Sequence, residues 1–156
     1  MDDVFLTGAI KMITLEKLLL LKSVTFFQQT PDELLMQIVT TAVKEQTVNA
    51  GELIIQKGDA GTDMFVIVSG QVKVHDEEKL ITTLGEREIF GELSALSLEP
   101  RVSSISAITD CLLLKINGLA LYEIMNFDVG LAKGIIHALC ERARSMSTQL
   151  QILMNQ

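Results

Sequence analysis

The stretch FGELSALSLEPRVSSISA runs from Phe90 to Ala107. It opens with an aromatic, a glycine and a carboxylate, continues through a short apolar turn of helix from Leu93 to Leu98, and delivers Pro100 and Arg101 at the mouth of a hydroxyl-rich strand. Glycine permits close approach of backbone to a ligand. Glu92 offers acceptor oxygens only, which suits sugar hydroxyls; Arg101 offers a planar fork of donors, which suits a phosphate. Free N–H groups at the start of the short helix add a weaker attraction for an anion. A carboxylate and a guanidinium nine residues apart, joined by a helical turn, suit one ligand carrying both sugar and phosphate. The alternative is an Arg101–Glu92 ion pair that closes the fold with no ligand inside.

Upstream of this stretch the chain reads as short strands with turns between them. Strands are expected at Leu53 to Ile55, Met64 to Val68, Val72 to His75 and Leu80 to Leu84, with Ile89 and Phe90 leading into the helical turn. Ser103 to Thr109 and Cys111 to Ile116 follow it. Val72 and Val74 alternate with Lys73 and His75, so one face points in and the other out. About eight short strands at close, even spacing, from Gln46 to Ile116, predict a mainly β fold, a jelly-roll-like barrel or sandwich with flanking helices.

Helices bracket the strands. Thr14 is placed to cap Leu15 to Leu21, a helix apolar almost all round that must be buried either on this body or against another domain or chain. Phe26 and Phe27 anchor the connector from Ser23 to Gln29. Thr30-Pro31-Asp32-Glu33 has the form of a helix start, with Thr30 as cap, Pro31 at the first helical position and Glu33 reaching back; Leu34, Leu35, Ile38, Val39 and Val43 give the buried face. After Ile116 come a short helix from Gly118 to Met125, a break at Asn126-Phe127-Asp128 with Asp128 as cap, and a long helix from Val129 to about Leu153. Ile136, Leu139, Ala143, Met146, Leu150 and Leu153 recur on it at steps of three and four. That seam either covers the β body or pairs two copies of the chain.

Composition sets limits. A length of 156 residues with 48% apolar content is enough for one domain with a core. The net charge of -7 and pI near 4.8 argue against nucleic acid as partner, because displacing its counterions takes a basic patch. Asp2 and Asp3 stand where a secretory leader is basic, and no apolar run approaches a membrane span; with Cys111 and Cys140 unpaired and without metal-ligand spacing, a cytoplasmic setting is expected. His75 and His137, the two histidines, have no spaced partner for a metal. Ser103, Ser104 and Ser106 have no neighbouring base to activate them, and no P-loop pattern occurs. The chain is therefore expected to be no enzyme and to use no cofactor.

The stretch from Phe90 resembles the phosphate-binding cassette of the cyclic nucleotide-binding domain family, the β-roll of catabolite activator proteins and protein kinase A regulatory subunits. Phe90, Gly91, Glu92, Leu93, Pro100 and Arg101 match residue for residue. Gly51, Glu52, Gly58, Asp59, Gly61, Ser69 and Gly70 independently fall on the turns of that β-roll. The resemblance spans roughly Thr14 to Leu153. It implies a single domain over 1–156, with N-terminal helices in 1–45, β-roll in 46–116 and C-terminal helices in 117–156. It implies a regulatory sensor that holds a cyclic nucleotide and relays its presence through the C-terminal helices. The implied ligand residues are Gly91, Glu92 on the ribose 2′-hydroxyl, Leu93, Ser94, Arg101 on the cyclic phosphate, Val102 and Ser103. The sequence departs from the family pattern at Val102, which follows the arginine where small residues are usual, and at Arg87, where a second glycine is common. No aromatic follows Phe127, so the base must be capped by Arg142, Met146 or Leu150, with Leu153 as a further candidate. A hydroxyl directly after the arginine favours guanine in this family; Val102 has none, so cyclic AMP is the expected ligand, with cyclic GMP second. Partners beyond the nucleotide are a second copy through the long helix or an effector domain outside this chain. The competing expectation is a degenerate β-roll serving as a ligand-free interaction or dimerisation module.

Overall fold

A computed structural model describes residues 11–156; Asp2 and Asp3, on which the leader argument rests, lie outside them. Helix α1 (Thr14–Lys22), a 3-10 turn (Thr25–Phe27) and helix α2 (Asp32–Ala42) lead into eight strands: β1 (Val43–Val48), β2 (Leu53–Ile55), β3 (Met64–Ser69), β4 (Val72–Asp76), β5 (Lys79–Leu84), β6 (Ile89–Phe90), β7 (Ser104–Ala107) and β8 (Cys111–Ile116). A short helix α3 (Glu92–Ser97) is inserted between β6 and β7, and helices α4 (Gly118–Phe127) and α5 (Val129–Met154) follow. The strands form two four-stranded antiparallel sheets, ordered β1-β8-β3-β6 and β2-β7-β4-β5. This is the eight-stranded roll expected from the strand spacing.

The first sheet is covered on both faces, which explains its near-continuous apolar strands. Phe65, Ile67, Cys111 and Leu113 point between the sheets and meet Val48, Ile55, Val72, Phe90 and Ile105. Met64, Val66, Leu114 and Ile116 point the other way, onto Leu35, Ile38, Phe26, Phe27, Leu121 and Leu131 of the helices. The two-residue period of a strand thus serves two cores with one sheet. The second sheet is half-solvated, and β5 is exposed along its edge.

Four local expectations are corrected. The first strand begins at Val43, not Gln46, because Val43 pairs with Ile116 and so ends the helix at Ala42. Thr30 does not cap α2: its hydroxyl is buried and has no hydrogen-bond partner among the described residues, and Pro31 occupies the cap position. Helix α1 buries Leu18 and Leu21 but leaves Leu15 and Leu19 exposed. On α5 the side against the body is Leu131, Gly134, Ile135 and Ala138, while Ile136, Met146, Leu150 and Leu153 of the heptad seam are exposed. The body offers α5 a surface only over its first turns, against the 3-10 turn, and a 26-residue helix, roughly 39 Å at 1.5 Å per residue, outruns it. Asp128 caps α5 as expected, accepting from the Gly130 and Leu131 N–H groups at 2.8 and 3.4 Å. Asn117 does the same for α4.

Truncating a fully buried side chain of the shared sheet should separate cleanly from truncating one on the exposed edge. Leu114→Ala is expected to cost about 2–5 kcal/mol in urea unfolding, whereas Leu80→Ala on exposed β5 should change stability by less than about 0.5 kcal/mol.

Candidate functional site

Between the mouth of the roll, the 3-10 turn and α5 lies a cavity of about 500 Å³. Its floor is the Phe90–Ala107 stretch. Gly91 precedes α3 with φ +78, and Leu98 ends it with φ +61, so the chain turns sharply at both ends of a six-residue helix. The loop that follows is pinned by its backbone: the Arg101 N–H donates to Asp59 O and the Gly58 N–H donates to Arg101 O, each at 2.9 Å.

The Arg101 side chain is only 8% exposed. Its Nη1 donates to Gly91 O at 3.0 Å and its Nη2 to Asp63 O at 2.8 Å. Two of five donors are thus spent on backbone carbonyls, which fix the plane of the fork and leave three N–H groups. Glycines make room for it. A Cβ on Gly61 would sit 2.6 Å from Arg101 Nε, and one on Gly91, 2.9 Å from Nη1. Burial lowers the Arg101 pKa from its ordinary value, while the carboxylates of Asp63 and Glu92 act in the opposite direction; an arginine starts so high that it stays charged.

Glu92, equally buried, is not bonded to Arg101. Its Oε1 accepts from Nη1 of Arg142, which comes down from α5. The Arg142 guanidinium also lies 5.5 Å from the centre of the Phe26 ring, within range of a cation–π attraction. Helix α4 is tied to the same floor, because the Tyr122 hydroxyl donates to Leu96 O. Cassette helix, α4 and α5 therefore form a closed mechanical circuit.

Gly91, Glu92, Leu93, Ser94, Arg101, Val102, Ser103 and Arg142 all line the cavity. Met146 and Leu150 do not; they are 62% and 58% exposed, on the part of α5 that has left the body. Sequence reasoning did not assign Val24, Thr25 and Phe26 of the 3-10 turn, Ile55, Val74, Leu84, Arg87, Glu88 and Ile105, which complete the wall. The inward alternation of Val74 was a usable signal; the approach of the 3-10 turn had none. Away from the cavity, His75 sits on the outer face. Its Nδ1 donates to Glu77 O at 2.7 Å, since a carbonyl only accepts, and its Nε2 is hydrogen-bonded to the Ser106 hydroxyl at 2.8 Å. His137 is exposed on α5. Among the described residues no three His, Cys, Asp or Glu side chains converge, and no helix is long and apolar enough to cross a membrane.

The profile of the Cyclic nucleotide-binding domain family matches residues 45–128, more than half of the chain. The chain belongs to the cyclic nucleotide-binding domain family. The domain is 36% identical over 109 residues to "Potassium channel AKT2" of Oryza sativa subsp. japonica, covering 67% of this chain and 13% of that protein. It is 37% identical over 92 residues to "cAMP-dependent protein kinase type II regulatory subunit" of Drosophila melanogaster, covering 59% of this chain and 24% of that one. The chain thus spans a minor part of these relatives' length. In fold it is similar to the N-terminal domain of a transcriptional regulator from Streptomyces coelicolor A3(2), with TM-score 0.70, 24% identity, and coverage of 84% of this chain and 94% of that one. Domains of this family are regulatory or sensor domains, typically non-catalytic.

Removing the α5 contact should loosen the helix without disturbing the roll. In Arg142→Ala, amide hydrogen exchange is expected to rise several-fold in α5 around residues 138–146 and to stay unchanged in β3 and β8. Equal exchange in α5 with and without Arg142 would show that the ion pair does not hold the helix down.

Proposed function

We propose that this domain binds a cyclic nucleotide, cyclic AMP in preference to cyclic GMP, and that binding shifts the position of α5. The observation that carries the reading is the buried fork of Arg101 beside the buried carboxylate of Glu92, both lining one cavity. A cyclic phosphate is an anion that must be paired when it leaves water. The remaining N–H groups of Arg101 supply that pairing, alongside the backbone of Gly91, Val102 and Ser103 and the side chain of Ser94. Glu92 keeps Oε2 for the ribose 2′-hydroxyl while Oε1 holds Arg142. Leu93 and Val102 give apolar contact at the rim. Val102 offers no hydroxyl to a guanine, which supports adenine. Arg142, alone among the candidate capping residues at the cavity, covers the base. The relatives named for a cAMP-dependent kinase agree with this ligand class.

The geometry supports such a relay. Arg142 belongs to α5 and bonds the same carboxylate that takes the sugar, so ligand and helix share one group. A ligand shifts the helix only by its differential affinity for the docked and undocked positions. Residues 1–156 act in this reading as one such domain. It works in the cytoplasm, in keeping with the free thiols of Cys111 and Cys140, and its output lies in an attached effector or a partner.

Titration calorimetry with cyclic AMP and cyclic GMP tests the reading. Charge-assisted hydrogen bonds contribute about 1.5–3 kcal/mol each, so Arg101→Ala is expected to weaken binding by about two orders of magnitude or more. Because that variant also strands two carbonyls, Arg101→Lys is the control; it keeps the charge, loses the fork and should recover only part. Glu92→Gln should cost less than Arg101→Ala. Absence of heat with either nucleotide at millimolar concentration refutes the proposal.

A second reading rests on the exposed seam. Met146, Leu150 and Leu153 stand in solvent at coiled-coil spacing, which supports a homodimer through α5, with or without ligand. Sedimentation at about 100 μM should then give a dimer that Leu150→Asp converts to monomer; a monomer in both cases removes this reading.

A further inference from the structure

Arg87 lines the cavity from the turn between β5 and β6. Its backbone has φ +69, a left-handed conformation that favours glycine. The turn that imposes it is closed on both sides. The Arg87 N–H donates to Ile67 O at 2.8 Å, the Ile67 N–H donates to Glu88 O at 3.0 Å, and the Glu88 N–H donates to Gly85 O at 3.1 Å. A long cationic side chain therefore stands where the backbone alone asks for none. Such local strain persists where the surroundings over-determine it, and it concentrates at ligand sites.

The other charged groups of the cavity wall are already engaged. Arg101 is held by two carbonyls, Arg142 and Glu92 hold each other, and the Glu88 carboxylate accepts from the Gly85 N–H at 2.6 Å. Arg87 makes no ion pair among the described residues. Its position along the cavity is set by β3. The Arg101 guanidinium is held by the carbonyl of Asp63, just before β3, and the Arg87 backbone by that of Ile67, four residues further along the chain, roughly 13 Å at about 3.3 Å per residue. With the phosphate at Arg101, a side chain rooted that far along the wall stands toward the base end of the cavity rather than at the phosphate.

We infer that Arg87 is a specificity-determining residue at the base end of the cavity, its guanidinium donating to the O6 and N7 acceptors of guanine. The inference rests on the cyclic nucleotide reading above. Guanine presents two adjacent acceptors on that edge, which a guanidinium meets with two donors. Adenine presents one acceptor and an amino donor, which a guanidinium meets only once. Arg87 therefore narrows the preference for cyclic AMP that Val102 sets.

Competition calorimetry with both nucleotides on the unaltered chain, Arg87→Gly and Arg87→Lys is the test. Arg87→Gly suits the backbone, so its ligand-free thermal midpoint should not fall. It should weaken cyclic GMP by about 5- to 150-fold and leave cyclic AMP within about threefold. Arg87→Lys keeps the charge without the fork and should lose most of the cyclic GMP affinity too. Equal weakening of both nucleotides would make Arg87 a plain charge toward the phosphate, and no change in either would make it a solvent-facing residue; both overturn the inference and leave cyclic nucleotide binding intact. Failure of the unaltered chain to bind either nucleotide overturns both readings together.

Discussion

A buried guanidinium held by two backbone carbonyls is the constraint on which this site depends. Arg101 cannot be placed there unless Gly61 and Gly91 leave space beside it, since a side chain at either would come within 3 Å of its nitrogens. Nor can it stay there unless the loops around Asp59 and Asp63 present their carbonyls inward. Loop, glycines and cassette are thus mutually dependent, although Asp59 and Arg101 lie 42 residues apart in the chain. An unpaired buried charge is strongly unfavourable. The two carbonyls and the neighbouring carboxylates offset that, and they leave the remaining donors in a fixed plane.

The roll supplies the rigidity that such a site needs. One sheet shared by two cores cannot shift without disturbing both, and β3, one of its two inner strands, follows directly on Asp63 and carries Ile67. Helices α4 and α5 lie against this sheet, and polar contacts also tie them to α3 and its carboxylate, α4 through Tyr122 and α5 through Arg142. Both helices are rooted in the core, α4 by Leu121 and Ile124 and α5 by Leu131, Ile135 and Ala138, and each polar contact is a weaker hold added at the rim. In the proposed function it is the outer part of α5, beyond this packed root, that a ligand would bias.

Much of this was legible in the sequence, and for a physical reason. Period-two alternation and turn residues report on local backbone geometry, so about eight strands could be counted, and the N-cap of α5 and the run of Phe90 to Arg101 could be read. Local errors occurred where tertiary pairing overrode local preference. Val43 looked like the last apolar position of a helix and became the first of a strand because Ile116 lies opposite it. Thr30 looked like a cap and was turned into the interior.

What the sequence by itself determined was the set of elements and the chemistry of the cassette, because both depend on residues close together in the chain. What only the tertiary structure decided was who meets whom. Glu92 was expected to face Arg101 if no ligand were present, yet it bonds Arg142, fifty residues away. The heptad seam was weighed as a cover for the roll, yet the helix turns a different face inward and carries Met146 and Leu150 into solvent. Arg87 stood out only as a residue in place of a glycine, yet its turn brings it to the cavity wall. Helix rotation, loop approach and the choice among several possible charge partners are fixed by packing between distant segments, and no local pattern encodes them.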